Sequence, residues 1–239
     1  MTLAVRLPEL FPPLATLALA ARAGAAGGVF VVGDAFGYTR TQRASRMRVR
    51  TADGWTWASA PLVAASLGQR LDTVALAPPR TWAPRLARTL QHAYGQSPFF
   101  AHYGPDACAL LAAPHASAAA LALASTAWLF DRFGLAAPVA ASSLVPAASA
   151  STSGDSAALT LDALCAATGA TRLLSLSDTA ARDERVRPVE VVDAAERPRR
   201  QMFEDAAGVA GGFVGGLSAL DALFLYGPAA RQWIEAPQR

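Results

Sequence analysis

Apolar segments and glycines divide the start of the chain into alternating elements. Residues 4–7 are apolar, residues 10–23 have apolar positions at helical spacing, and residues 29–32 are continuously apolar between glycines. A continuous apolar segment of this length is typical of a strand that is buried on both faces. The order strand, helix, strand therefore predicts the start of a parallel α/β unit.

Residues 46–61 have the pattern of a β-hairpin. Arginines alternate with apolar residues on the first half, and tryptophans alternate with small residues on the second half. Asp53 and Gly54 stand between the halves, and this dipeptide favours a two-residue turn in which both central positions have a positive φ. The pattern predicts two antiparallel strands that are joined at this dipeptide.

The remaining elements continue the alternation of strands and helices. Helical spacing recurs in four segments and strand patterns in three: helices at 82–94, 121–133, 159–168 and 217–226, and strands at 138–145, 173–176 and 189–192. Gly169 follows the third of these helices at the usual place of a left-handed cap. We therefore predict a single α/β domain over residues 1–239, with a mostly parallel sheet and flanking helices. The mostly helical segment at about 105–134 is predicted to be an inserted layer.

Composition excludes some classes of protein. All 21 basic side chains are arginines, yet the formal net charge is only +3, because acidic residues are scattered among them. A nucleic-acid partner is therefore not expected, since such proteins concentrate basic residues on one face. No apolar stretch reaches the roughly 18 residues of a membrane span. The apolar N-terminal stretch follows Glu9 and three prolines, which favours a core helix over a secretory signal and predicts a cytoplasmic protein.

Common cofactor and metal motifs are missing from the sequence. Cys108 and Cys165 lie far apart, and the three histidines show no spacing of metal ligands. There is no Walker sequence and no GxGxxG motif. We therefore expect no metal and no cofactor.

Arginines crowd the segment between residues 40 and 50. On a strand, Arg46, Arg48 and Arg50 lie on one face, because side chains alternate with a period of two. Guanidinium groups in a row bind phosphates or carboxylates bidentately. This suits the diphosphate of a nucleotide sugar or the phosphopantetheine of a carrier protein. The alternative is a solvated hairpin face in an arginine-rich chain.

Two further positions combine a carboxylate with a special place in the fold. Asp34 follows the buried strand at its C-terminal end, where parallel α/β sheets bind ligands, so it is a candidate base or hydroxyl-binding group. Alternatively, Asp34 caps the following turn. Ser218 and Asp221 precede an apolar segment with the spacing of a capping box. Helix N-termini also bind anions, so a ligand role at this pair stays open.

In order along the chain, these features resemble the WbqC-like protein family over about residues 4–228. Val5-Arg6-Leu7-Pro8 stands where the family has Ile-His-Gln-Pro, and Asp34 with Tyr38 resembles its Asp-Asp-x-x-Tyr strand end. Further similarities are Ser45-Arg46-Met47-Arg48-Val49-Arg50, Pro98-Phe99-Phe100, Ser142-Ser143-Leu144, Gln201, Leu217-Ser218, Asp221 and Gly227-Pro228.

The resemblance implies a role in surface-polysaccharide biosynthesis, including O-antigen, with transfer of a group as the candidate reaction. The site that it implies has Asp34 and Tyr38 as catalytic residues. We expect the ligand to be an anionic small molecule. The residues expected to bind it all have polar side chains: Arg43, Arg46, Arg48, Gln201, Ser218 and Asp221.

Some positions depart from the family pattern. Arg6-Leu7 replaces the His-Gln pair, and Ala35 replaces the second aspartate. An arginine stays protonated and cannot serve as a general base in place of a histidine. Two hypotheses follow: a transferase that acts on a nucleotide sugar or an acyl donor, and a catalytically degenerate member that binds a ligand or a partner protein.

Overall fold

The apolar segment predicted as a buried strand lies in a parallel sheet beside the first strand of the chain. The computed structural model describes residues 1–145, 158–176, 189–192, 196–204 and 212–235. Strand β1 (Thr2–Arg6) pairs in parallel with β2 (Val29–Val32), and helix α1 (Leu14–Ala25) connects them. The predicted strand–helix–strand unit is confirmed.

Three further strands complete this sheet. They are β5 (Val139–Ala140), β6 (Arg172–Leu176) and β7 (Val189–Val192), and the strand order is β5-β2-β1-β6-β7. Every pairing within this sheet is parallel, so the C-terminal ends of its strands lie along one edge. The predicted α/β class with a mostly parallel sheet is confirmed.

Helix α1 is shorter at its start than the sequence pattern suggested. Pro13 precedes the first helical residue with extended backbone angles, and the helix begins at Leu14 rather than at residue 10. Prolines lack an amide hydrogen and fix φ, so the chain enters the helix after them. Leu10 and Phe11 are still buried, as loop residues in the same hydrophobic core as the helix.

The predicted hairpin is confirmed, but its turn differs by one residue. Strands β3 (Arg46–Thr51) and β4 (Gly54–Ser59) are antiparallel, and Thr51 pairs with Gly54. Ala52 and Asp53 therefore form the turn. The expectation that Asp53 and Gly54 both have a positive φ is wrong, because only Gly54 does, at 128°. Glycine takes the position that other residues avoid.

The helical layer consists of two helices, and an amphipathic helix precedes them in the chain. Helix α2 (Ala83–Tyr94) packs against α3 (Phe100–Ala112), and α4 (Ala118–Arg132) follows. The hydroxyl of Ser117 accepts a hydrogen bond from the amide of Ala120 and caps the start of α4. These helices cover the large hydrophobic core that also includes α1.

The segment predicted as a strand at 138–145 is mostly not one. After the two residues of β5, the chain turns into a short helix α5 (Ala141–Leu144). The amide of Ser142, in the first turn of α5, donates to the carboxylate of Asp34 at 2.9 Å. This hydrogen bond takes the place of the sheet hydrogen bond that a longer strand would make. Its acceptor, Asp34, lies far away from Ser142 in the sequence.

The last described elements follow the predicted pattern. Helix α6 (Leu161–Thr168) ends at Gly169, whose φ of 61° confirms the left-handed cap. Helix α7 (Leu220–Tyr226) is followed by a 3₁₀ segment, Gly227–Trp233. Within the residues that the structure describes, no helix is both long and apolar enough to span a membrane.

Candidate functional site

The C-terminal edge of the parallel sheet gathers polar side chains from three strands. Arg6 ends β1, Asp34 follows β2 by two residues, and Ser142 follows β5 by two residues. Loops at this edge of a parallel sheet form the usual ligand site of α/β proteins. The same loops lead to the hairpin that bears the arginines.

Asp34 is fixed by a two-point contact with Ser142. Its Oδ1 accepts from the Ser142 amide at 2.9 Å, and its Oδ2 accepts from the Ser142 hydroxyl at 2.5 Å. The side chain is buried, and the positive charge of Arg70 acts on it electrostatically. Asp34 therefore holds β5 against β2 instead of capping its own turn. Each oxygen keeps a lone pair that is able to accept from a ligand.

Tyr38 lies in the loop after Asp34. Its ring is half-buried and packs against the small cluster around Ala44 and Leu71, and its amide donates to the Gln69 carbonyl at 2.7 Å. The contacts of the described residues do not join Tyr38 to the hairpin arginines. Its catalytic role therefore stays a prediction.

Arg6 stands at the position where the family pattern has histidine. Its Nη2 contacts Oε1 of Glu9 at 3.3 Å, and Oε2 of Glu9 accepts from the Thr16 hydroxyl at 2.6 Å. Glu9 also bridges to Arg43 through the main chain. An ion pair and a main-chain bridge thus connect the end of the central strand with the segment just before the hairpin.

Two of the hairpin arginines donate their side-chain hydrogen bonds to main-chain carbonyls. Arg46 donates to the carbonyls of Gln42 at 3.1 Å, Thr41 at 3.1 Å and Arg40 at 3.3 Å. Arg50 is fully buried, and it donates to three carbonyls: Gly54 at 2.8 Å, Met202 at 3.1 Å and Gly212 at 3.1 Å. These two side chains hold loops in place.

Arg43 and Arg48 differ from them, because their side chains donate no hydrogen bond to any described residue. Both guanidiniums lie over the ring of Trp57, at 5.5 and 5.2 Å from its centroid, and that of Arg46 lies over the same ring at 4.5 Å. Arg48 also lies over Trp55 at 4.1 Å, and its Nε is buried without a partner among the described residues. A guanidinium stacked on an aromatic face keeps its N–H donors free at its edge. We call Arg43 and Arg48 the arginine pair.

The electrostatics of the arginine pair favour an anion. Burial lowers the pKa of Arg48 below its usual value, and the charges of Arg43 and Arg46 lower it further. The guanidinium remains protonated at any working pH. Among the described residues, no carboxylate forms a salt bridge with either member of the pair. Gly216 borders it, since a Cβ there would lie 3.2 Å from Nη1 of Arg48.

Gln201 and Asp221 are brought together in a buried network. The Gln201 side chain donates to the Val214 carbonyl at 2.9 Å and accepts from the Val214 amide at 2.8 Å. Its Nε2 also lies 3.3 Å from Oδ2 of Asp221, which accepts from Arg199 at 3.0 Å. Burial raises the pKa of Asp221 to about 6, although the charge of Arg199 acts to lower it.

Ser218 links the same network to the hairpin. Its amide donates to the carbonyl of Arg48 at 3.0 Å, and its hydroxyl accepts from the Leu220 amide at 3.2 Å. The alternative interpretation of Ser218 and Asp221 as a capping box holds only for Ser218, whose hydroxyl accepts from the amide of the first residue of α7. Ala219 is the N-cap residue of α7 and has no capping side chain, and the Asp221 carboxylate binds Arg199 instead of a helix amide.

The sequence did not reveal three of the residues in these contacts. Ser142 belonged to a segment that resembles the family but had no role assigned to it, while Glu196 and Arg199 lay in a segment for which no function was predicted. A sequence signal exists only for the last two, because an acid and an arginine three residues apart are typical of a local ion pair. In the part of the chain that the structure describes, no group of three or more His, Cys, Asp and Glu side chains is arranged for a metal ion.

The fold and the polar edge define an α/β protein that has a parallel sheet and an arginine-rich hairpin beside the ends of its strands. The model of the WbqC-like protein family matches residues 8–233, nearly the whole chain, so the protein belongs to that family. No curated protein and no solved structure matches the chain.

Proposed function

We propose that this WbqC-like protein binds an anionic donor, such as a nucleotide sugar, through the arginine pair. In this proposal it is a transferase, or a relative of transferases, of surface-polysaccharide biosynthesis. One observation supports the proposal above all others: Arg43 and Arg48 both lie over the ring of Trp57 and donate no hydrogen bond to the described residues.

Two stacked guanidiniums have a clear chemical preference. Burial lowers the pKa of Arg48 most, and the like charge of Arg43 lowers it further, because the two guanidiniums repel one another. A ligand with two adjacent negative charges relieves that repulsion, and planar N–H forks bind phosphate oxygens bidentately. A diphosphate meets both conditions. The phosphopantetheine of a carrier protein has a single phosphodiester and meets them less well.

The remaining predicted residues have supporting roles in this proposal. Asp34 orients or deprotonates the acceptor from the C-terminal end of β2, with Tyr38 in the same loop. Gln201, Ser218 and Asp221 are buried and bonded internally, so they hold the segment that borders Arg48. Their direct contact with a ligand stays a prediction.

Calorimetric titration with UDP-glucose and CDP-glucose tests the proposal. We expect Arg43→Ala and Arg48→Ala each to weaken binding about 10- to 100-fold, the range of a charge-assisted hydrogen bond. The matched control is Arg85→Ala, which removes the same charge from an exposed position on α2. Equal or undetectable binding in wild type and both pair variants would remove the proposal. 4′-Phosphopantetheine, titrated in parallel, tests the carrier-protein alternative.

A second candidate function is a degenerate, non-catalytic family member. The ion pair between Arg6 and Glu9 favours it, because an engaged arginine occupies the position of the family's histidine. The double substitution Arg6→His with Ala35→Asp restores both family residues. A gain of sugar-transfer turnover on restoration would support degeneracy, and strong turnover by the unmodified protein would eliminate it.

A further inference from the structure

We propose that the outer edge of β4, formed by the main-chain groups of Trp55, Trp57 and Ser59, binds an extended acidic segment of a partner protein as an additional antiparallel strand. The arginine pair supplies the positive charge beside this edge. The inference goes beyond the proposed function, because pairing of main-chain groups requires no nucleotide sugar. Both ligands use the arginine pair and exclude one another, whereas only the acidic segment uses the outer edge of β4.

The hydrogen bonds of β3 show which of its main-chain groups point away from β4. The carbonyl of Arg48 accepts from the Ser218 amide at 3.0 Å, and the amide of Arg50 donates to the Tyr94 hydroxyl at 3.1 Å. These two residues of β3 therefore do not use the same groups to bind β4. In an antiparallel pair, the residues that stand opposite such positions also direct their amide and carbonyl groups outward.

The register of the hairpin transfers this pattern to β4. Trp55, Trp57 and Ser59 stand opposite alternate residues of β3, beginning with Arg50. Their amide and carbonyl groups therefore point away from β3. Within the residues that the structure describes, these groups have no hydrogen-bond partner, and β3 and β4 form a sheet of two strands. An edge with unpaired donors and acceptors at alternate residues is a template for a further strand.

Strand β4 lacks the features that usually protect an edge strand from pairing. Its six residues include no charged side chain and no proline, and its register with β3 has no bulge. The side chain of Trp55 is 41% exposed, and Thr56 is exposed as well. Natural edge strands are commonly blunted by charges, prolines or bulges. Strand β4 is therefore long enough and open enough to pair with a strand of ordinary length.

The arginine pair determines the charge of the partner. The guanidinium of Arg48 lies over the ring of Trp55 at 4.1 Å from its centroid, and that of Arg43 lies over Trp57 at 5.5 Å. Both positive charges thus lie over side chains of β4, and an added strand would run only about 4.8 Å from β4. Among the described residues, no carboxylate forms a salt bridge with the pair. Acidic side chains at alternate positions of the added strand face the pair and supply this counter-charge.

A second copy of this chain fits the outer edge less well than an acidic segment. The hairpin contains one acidic residue, Asp53, and that residue lies in the turn rather than on β4. Pairing of β4 with the β4 of another copy would place the arginines of both copies on one face of the joined sheet. No acidic side chain of either β4 would compensate them. Charge complementarity therefore favours an acidic partner.

Fluorescence anisotropy of a labelled synthetic peptide of alternating glutamate and threonine tests the proposal. Ser59→Pro removes one amide from the outer edge, and proline is tolerated at such positions of edge strands. The matched control is Ser59→Ala, which keeps the amide and removes only the hydroxyl. We expect the proline variant to bind the peptide about tenfold more weakly and the alanine variant to bind like wild type. Equal binding by wild type and Ser59→Pro, or no binding by wild type, would overturn the proposal.

A second measurement uses only the wild-type protein, so it does not depend on the folding of a variant. In the antiparallel pairing, the glutamates that face the arginine pair also direct their amides towards β4. We expect N-methylation of the glutamates to weaken peptide binding about tenfold or more, because it removes these donors. N-methylation of the threonines removes only amides that point away from β4 and should have little effect. An equal loss for both peptides would contradict strand pairing.

The charge of the segment is tested with Arg48→Ala and with a peptide of alternating lysine and threonine. We expect the arginine variant to bind the glutamate peptide about fivefold more weakly, and the lysine peptide not to bind wild type. Binding of both peptides with equal affinity would overturn the acidic assignment.

Sedimentation analysis distinguishes the acidic partner from a second copy. A wild-type dimer that Ser59→Pro converts to a monomer would show that another copy occupies the outer edge, and it would overturn the proposal. We expect both proteins to sediment alike. Ser59→Pro should bind UDP-glucose like wild type, so a failure of peptide binding leaves the nucleotide-sugar proposal untouched. That proposal is judged by UDP-glucose binding to Arg43→Ala and Arg48→Ala.

Discussion

Asp221 accepts a hydrogen bond from Nη2 of Arg199 at 3.0 Å, and both side chains are completely buried. The pair joins α7 to the segment 196–204, which reaches the hairpin through Arg50. Removal of one partner of a buried ion pair leaves an uncompensated charge and is strongly destabilising. The orientation of this segment next to the arginine pair therefore depends on Asp221.

The pH dependence of stability is the first prediction. Burial raises the pKa of Asp221 in the folded protein to about 6. The folded state therefore keeps a proton that the unfolded chain has already released, so stability falls as pH rises from about 4 to about 6 and then levels off. For this group alone the fall is up to about 3 kcal/mol.

Urea unfolding of wild type and Asp221→Asn between about pH 4 and about pH 7 checks this prediction. We expect the variant to be less stable throughout and to have a flatter profile. The remaining slope belongs to Glu196, whose pKa burial also raises. Parallel profiles for the two proteins would show that Asp221 titrates normally.

The second prediction concerns Arg50, whose guanidinium donates to the carbonyls of Gly54, Met202 and Gly212. Arg50→Lys keeps the charge but loses the planar fork, and it leaves at least two of these carbonyls without a donor. We expect a loss of about 3 kcal/mol or more in unfolding free energy, measured by chemical denaturation. Arg85→Lys, an exposed change of the same kind, should alter stability by less than about 0.5 kcal/mol.

The third prediction concerns the contact between Asp34 and Ser142. Ser142→Ala removes the hydroxyl donor and leaves the amide bond, so we expect a loss of about 2 kcal/mol. A double-mutant cycle with Asp34→Asn should show coupling between the two positions. Ser143→Ala is the control, because its exposed hydroxyl bonds only to the Ala140 carbonyl among the described contacts. Additive effects at 34 and 142 would argue against the bond.

The fourth prediction separates backbone strain from contact with Arg48. Gly216 has a φ of 72° and Gly212 a φ of 54°, but only at Gly216 would a Cβ approach the Arg48 guanidinium. Each change to alanine should cost about 1–2 kcal/mol in stability, because both positions are left-handed. Only Gly216→Ala should also weaken UDP-glucose binding. Weakening of similar size in both variants would attribute the effect to the backbone.

Much of the fold was predictable from the sequence because its signals are local. The apolar segment at 29–32, the alternation at 46–51 and the glycine after residue 168 each specify an element within a few residues. The predicted strand at 138–145 failed for the opposite reason. There, a distant residue, Asp34, binds the Ser142 amide in the first turn of a short helix.

The candidate site shows the same division. The sequence by itself determined the class of fold, the family, and the period of two that aligns Arg46, Arg48 and Arg50 on one face of a strand. Only the tertiary structure decided which arginine donors are free. Arg50 is occupied by carbonyls that lie 152 and 162 residues away along the chain. Such contacts depend on how separate segments pack, and the periodicity of a single strand contains no information about them.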